Sequence, residues 1–322
     1  GIPINGKRPV LQGASQTIVF YQDHVIFENF EVTGGSMSCV INKGHDITLR
    51  NVLVRDCGGH GILGTDMYSG SQTLEFVEVR NCGDGQYDHQ VYLATDNTMH
   101  PNAVVRIQHS YIHDAAGGHN VKSRAGRNEI YNNWIEGPTY HVLDLIGADG
   151  QAPGLVREDS DVVGNVLIQT GSYAIARIGG DGTGASSGRY RFAYNTIVLS
   201  PSQGDAFRLQ DQLESLAIDN NVFLKPNGGS ATLVKNNGAI WTTGTQRVSG
   251  RNNFVANGLV APAFFTSTLS GSDAGLENVG AEDYRPLAGS PLVDAAWSGV
   301  GPDGYVIPNP LAVPVFSPTP NA

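Results

Sequence analysis

With 322 residues, only 16 % of them charged, and a formal charge of −10, the chain lacks the basic face that nucleic-acid binding requires. No apolar run approaches the ~18 residues of a membrane helix, so membrane insertion is not expected. The 41 glycines, together with the lack of any stretch of helical periodicity, predict an all-β chain with many turns.

The chain opens on GIPINGKRPVLQG (1–13), which lacks the apolar core of a secretory leader. Its low charge and its Gly, Asn, Ser and Thr content suit an exported protein, so a secreted or periplasmic location is expected. From about residue 17 onward a unit recurs. TLRNVLVRDCGGHGIL (48–63) aligns with TLEFVEVRNCGDGQYDHQVY (73–92), and GPTYHVLDLIGADG (137–150) with TGSYAIARIGGDG (170–182). Each unit reads as a short alternating strand, an Asn, a short apolar strand, a Gly-rich turn and a third apolar strand. The Asn recurs at Asn29, Asn51, Asn132 or Asn133, Asn165, Asn195, Asn221 and Asn253, with Phe76 and His109 on the rungs between. A turn Asn bonds local backbone and tolerates a left-handed conformation, so a ladder of them at one edge has a physical reason.

A period of roughly 22 to 33 residues lies in the solenoid range. The units are not helical and lack a regular Leu-x-x-Leu-x-Leu frame. A parallel β-helix remains, in which each unit is one coil and strands of successive coils stack ~4.8 Å apart. The pattern resembles the pectate-lyase-like superfamily over about residues 17–300. That resemblance implies a single-stranded right-handed parallel β-helix. DYRPLAGSPLVDAAW (283–297) looks like the closing segment that follows the last coil in such proteins. Residues 1–300 are therefore read as one domain, and the proline-rich residues 301–322 as an extended tail.

The cysteines are Cys39, Cys57 and Cys82, an odd number, so at least one is free or paired outside the chain. Cys57 and Cys82 fall on matching rungs. Stacked parallel side chains rarely reach disulfide torsion, so both are expected to be buried free thiols. No CxxC-type metal spacing occurs.

The third strand of each coil carries the chemistry. Aligning GHGILGTD (59–66), DHQVYLATD (88–96), GHNVKSRA (118–125), YHVLDLIGAD (140–149), YAIARIGGD (173–181) and DAFRLQDQ (205–212) gives apolar or small inward columns. These are Ile62, Val91, Val121, Leu143, Ala176, Phe207 and Gly64, Leu93, Ser123, Leu145, Ile178, Leu209. The outward column between them is Leu63, Tyr92, Lys122, Asp144, Arg177, Arg208. Arg124 lies two residues beyond Lys122 and Asn120 two before it. His60, His89, His119 and His141 share the strand entrance. A cross-strand charge ladder is the plain alternative, but it leaves Arg177 directly over Arg208. The histidines have a plain alternative too, as turn residues bonding backbone, above all His60 and His141.

HQVYL (89–93), GGHNVKSRA (117–125) and YHVLDLIGADG (140–150) are similar to segments of one bacterial group of β-helix proteins. That likeness marks His89, Tyr92, His119, Lys122, Arg124 and Asp144. NVKS (120–123) is also similar to a strand of β-helix alginate and chondroitin lyases, which implies a base role for Lys122. Their acid-role Arg lies one coil later, where this chain has Asp144.

Eliminative cleavage of a uronate polymer needs a cation on the carboxylate, a base for the C5 proton and an acid for the leaving O4. Arg124, Arg177 and Arg208 suit the first task. Lys122, with His119 as rival, suits the second, and Tyr92 the third. His89, Asn120 and Asp144 are read as substrate-binding with Arg177 and Arg208. The expected function is polysaccharide lyase action on an acidic, uronate-containing polysaccharide. Competing readings are a glycoside hydrolase, which needs two carboxyls ~5 to 9.5 Å apart, a uronate C5-epimerase, and a non-catalytic glycan-binding or surface protein. No cofactor is required; calcium is possible at DGQYD (84–88), GADG (147–150) and GGDG (179–182), although no calcium loop is complete.

Overall fold

The computed structural model describes residues 1–2, 7–147, 158–183, 186–238, 241–242, 244–302 and 304. Nearly all of the expected tail lies outside this set. The described chain winds through three parallel sheets of 11, 10 and 10 strands, and each strand pairs with its equivalent one coil on. One coil contributes, in order, a strand to the first, second and third sheet. This is the expected all-β parallel β-helix. Among the described residues no helix is long and apolar enough to cross a membrane.

Alternation explains the core. In the second sheet Ile62, Val91, Val121, Leu143, Ala176 and Phe207 stack in one column. Each is at most 1 % exposed. Leu93, Leu145, Ile178 and Leu209 fill the next inward column. A slip of one residue in any coil would turn its apolar set outward, which is what pins the register.

The corner between the third and first sheets is built from two adjacent columns. Asn29, Asn51, Phe76, His109, Asn132, Tyr194, Asn220 and Asn252 all have φ between 50° and 61°. The residue after each begins a second column, in which Asn133, Asn165, Asn195, Asn221 and Asn253 form a buried amide ladder. Each Asn165-type Nδ2 donates to the next Oδ1, at 2.9 to 3.2 Å, and to a carbonyl such as Ile130 O. The single Asn column read from the sequence is thus two neighbouring ones: Asn29 and Asn51 belong to the left-handed position, Asn165, Asn195 and Asn221 to the ladder.

The thiol expectation is corrected as well. Cys57 and Cys82 do pair in register. Cys57, however, is disulfide-bonded to Cys39, across 18 residues, and only Cys82 is free and buried. The bond runs between neighbouring turns of the chain rather than along the Cys57–Cys82 rung.

After the last coil, Leu276–Asn278 pairs antiparallel with Asp283–Pro286. This segment packs Leu276, Tyr284 and Leu292 on the outer face of the first sheet, against Trp134, Ile168, Val198 and Leu224. Asn220 and Asn252 side chains bond the backbone of Trp297 and Ala295. The closing segment therefore covers the first sheet and leaves the second sheet's outer face uncovered by it.

Candidate functional site

The outward column of the second sheet is as aligned: Leu63, Tyr92, Lys122, Asp144, Arg177 and Arg208 pair rung to rung, followed by Lys235. Alternation forces these side chains out because their neighbours fill the core. Tyr92, Lys122, Arg177 and Arg208 are half-buried and Asp144 fully buried.

Lys122 occupies the centre. Its ammonium lies 4.9 Å from the centroid of the Tyr92 ring. Among the described residues it has no hydrogen-bonded or ion-pair partner. Burial lowers its pKa, the Arg124 and Arg177 charges lower it further, and Asp144 opposes both.

Asp144 is held on two sides. Arg177 grips it bidentately through Nε and Nη2, at 2.5 and 2.7 Å. His119 Nε2 lies 3.3 Å from Oδ2. Burial alone would raise the carboxyl, but the Arg177 guanidinium, by its hydrogen bonds and its charge, holds it well below the usual carboxylate range. Arg208 is likewise held by Asp205 through Nε and Nη2, at 3.1 and 2.9 Å. The apparent clash of Arg177 over Arg208 is thereby resolved, since each guanidinium has its own carboxylate.

The histidines form a ladder with fixed tautomers. His60, His89 and His119 each accept, at Nδ1, the backbone N–H of the next histidine in line, all at 3.0 Å. Their protons therefore sit on Nε2. His141 ends the run with Nδ1 donating to Ala174 O at 3.0 Å, which leaves its Nε2 bare. His60 Nε2 lies 3.2 Å from Asp88 and His119 Nε2 3.3 Å from Asp144. His89 Nε2 is buried with no partner among the described residues, as is Asn120 Oδ1. Burial holds the ladder neutral, with His89 pushed down to about 2 and His119 to about 3. His119 Nδ1 accepts a backbone N–H and its Nε2 carries the proton, which leaves it no free lone pair for a substrate proton.

Arg124 is 3 % exposed and turned away from the open face. It donates to Gly147 O at 2.6 Å, Asp181 Oδ2 at 2.6 Å and Thr183 Oγ1 at 3.1 Å. Its guanidinium thus ties the turn after the second sheet together and adds positive charge behind Lys122. Of the calcium loops considered, 148–150 lies outside the described residues, and Asp181 is committed to Arg124 and Thr183. Among the described residues no group of three or more His, Cys, Asp or Glu has metal-binding geometry.

The structure thus brings Tyr92, His89, His119, Lys122, Asp144 and Arg177 together and places Arg208 one rung beyond. Asn120, expected to bind substrate, is instead fully buried: its Nδ2 donates to Gln90 Oε1 at 2.6 Å and to Glu136 O at 2.9 Å, in a column whose next rungs, Val142 and Ile175, belong to the core. Sequence reasoning missed Asp181 and Asp205 as counter-ions, although both stand at the ends of the aligned strands. It also missed Tyr140 and Tyr173, whose rings lie 4.7 Å apart and flank His119 and His141.

No protein-family model matches the chain, and no curated protein matches it.

Proposed function

We propose that the stripe is the active site of a polysaccharide lyase acting on a uronate-containing polymer. The observation that carries this reading is the Lys122 ammonium, without an ion-pair partner among the described residues, set in a ring of compensated charges and lowered in pKa by its burial. A lysine of this kind is a usable base once neutral. Arg177 spends two of its five N–H donors on Asp144, so the others are available for a substrate carboxylate.

In the proposed step the Lys122 Nζ lone pair takes the C5 proton. The C5–H electrons become the C4=C5 double bond as the C4–O4 bond breaks. The Tyr92 hydroxyl gives its proton to the departing O4 and regains one from solvent. Asp144 does not react; it fixes Arg177 and His119. His89 Nε2–H, buried and without a partner among the described residues, lies beside this centre, its ring 5.6 Å from that of Tyr92. Arg208 extends the cationic line for the next sugar.

Asp144 is the only carboxylate in the outward column between Tyr92 and Arg208, and Arg177 holds it ionised. A hydrolase would need a protonated carboxyl there as its acid, which disfavours that reading. The Cys39–Cys57 disulfide supports an oxidising, extracytoplasmic setting.

The test is incubation with a panel of uronate polymers while following ultraviolet absorbance. The expected result is the band of a C4=C5 unsaturated uronate. New reducing ends without that band would favour hydrolysis. An altered epimer ratio without cleavage would favour epimerisation, and binding without product a glycan-binding module.

A further inference from the structure

A second cluster lies on the same edge of the second sheet, at the turns that follow its first four strands. Tyr21, Asp23, Lys43, Tyr68, Met99 and His100 line an open cavity of ≈ 430 Å³. Lys43 directly follows Asn42, three rungs before Lys122 along the sheet, which is ~14 Å at ~4.8 Å per rung.

Its rings are displayed rather than packed. Tyr21 is 65 % exposed and Tyr68 50 %. The Lys43 ammonium lies 5.6 Å from the Tyr21 ring centroid, and it has no carboxylate partner among the described residues. The arrangement repeats the Lys122–Tyr92 pair of the stripe.

The support beneath Tyr68 is built at a cost. Tyr68 has φ 74°, a conformation that a bulky residue rarely adopts and glycine adopts freely. One carboxylate holds it there. Asp96 accepts from Tyr68 N at 3.0 Å, Thr98 N at 3.1 Å and Met99 N at 2.9 Å. Asp96 N also donates to Ser69 O, and His100 N to Asp96 O. The turns 65–71 and 95–104 are thereby locked to each other and present Tyr68, Met99 and His100 together. The His100 ring is stacked on His45 at 4.5 Å, and His45 N donates to Asp23. Strain held in place by such a network marks a position where the side chain itself is wanted. The corresponding turn one coil on has only two residues, 125–126.

We propose that this cavity is a remote subsite for an acidic sugar ring of the polymer, stacked on Tyr21 and Tyr68 with its carboxylate on Lys43. The occupant's chemistry follows from the cavity: aromatic faces suit a sugar's C–H surface, the unpaired ammonium suits a carboxylate, and Asp23 offers an acceptor for a hydroxyl. The proposal rests on the uronate reading of the stripe and adds a place for the chain beyond the reacting bond.

The test is equilibrium binding of polymers and short oligomers of uronic acids in a Lys122→Ala background, with neutral polysaccharides as controls. Lys43→Ala and Tyr68→Gly are each expected to weaken polymer binding about tenfold, with short oligomers much less affected. The Lys43 effect should shrink at high salt. Because glycine relieves the φ of Tyr68, Tyr68→Gly should unfold at an equal or higher temperature while binding worse, a combination that a merely structural role would not give. Unchanged polymer affinity in both variants would overturn the subsite and leave the stripe reading standing. Weakened binding in the variants, with no elimination by the wild type, would support the subsite and sink the lyase reading. Equal binding of a neutral polymer, or no uronate binding at all, would overturn the assignment of an acidic sugar.

Discussion

The Lys122 ammonium is flanked by ionised groups that already have partners, Asp144 with Arg177 and Arg124 with Asp181. A positioned general base contributes ~10²- to 10⁴-fold. Lys122→Ala is expected to lower kcat by about that factor while polymer affinity falls much less, measured at saturating substrate. Because the base must be neutral and its pKa lies below the usual 10.5, the rate should climb with pH and level off below that value. A rate that falls across the alkaline range would remove Lys122 from the role. The outward column was legible in the sequence because its inward neighbours are unambiguous: Val121 and Leu143 leave Lys122 and Asp144 one side only. The pairing of Arg208 with Asp205 was not, because it joins two outward side chains of one strand that the column-by-column alignment kept apart. Nor were the histidine tautomers, which depend on backbone N–H groups of the following rung.

The element that holds each coil to the next is the corner with its amide ladder. Asn195 accepts from Asn165 N and Nδ2 and donates to Val162 O and Asn221 Oδ1. Asn195→Ala would strand several buried donors and acceptors at once. At 1–3 kcal/mol for each unmet group, a loss of about 2–5 kcal/mol is expected in denaturant unfolding. A loss below about 1 kcal/mol would mean that the ladder is dispensable. The recurring Asn was plain in the sequence, yet two adjacent columns were merged into one. A left-handed position and an amide ladder both select Asn, and Phe76 and His109 show that the first tolerates other residues too. The Cys39–Cys57 bond was missed because the alignment compared equivalent rungs, whereas Cys39 sits on a strand of the second sheet and Cys57 on one of the first. Under denaturing conditions one thiol per chain should react before reduction and three after. Three before reduction would contradict the disulfide, whose loss is expected to cost about 3 kcal/mol.

Across the molecule, the core is a stack of apolar columns, into which a polar network around Glu158 is set. Glu158, fully buried, accepts from Asn128, Ser160 and Tyr190, and Ser123 joins through Asn128. Burial pushes the Glu158 carboxyl up to about 8, against hydrogen bonds that pull it down. The folded protein thus keeps a proton there that the unfolded chain, titrating near 4.5, gives up. That contribution is complete below the unfolded value and is lost as pH rises through about 8. The depressed histidines act in the opposite sense, but only below about 6.5. Between about pH 7 and pH 8.5 the melting temperature should therefore fall, and Glu158→Gln should flatten the slope. An equally steep fall in Glu158→Gln would place the titration elsewhere. The overall architecture was readable because a solenoid repeats its pattern at every coil. Glu158 was not, because it occurs once and outside the aligned strands.

The proposed elimination at Lys122 rests on the stripe along the second sheet, which the closing segment leaves free, and on the lysine at its centre, without an ion-pair partner among the described residues. The most direct measurement is mass analysis of the chain ends made from a uronate polymer by the wild type and by Lys122→Ala. Each wild-type cut should leave a dehydrated, 4,5-unsaturated ring at the new non-reducing end, and the variant should yield almost none. Intact, hydrated rings at those ends, or the same unsaturated products from Lys122→Ala at an undiminished rate, would contradict the account.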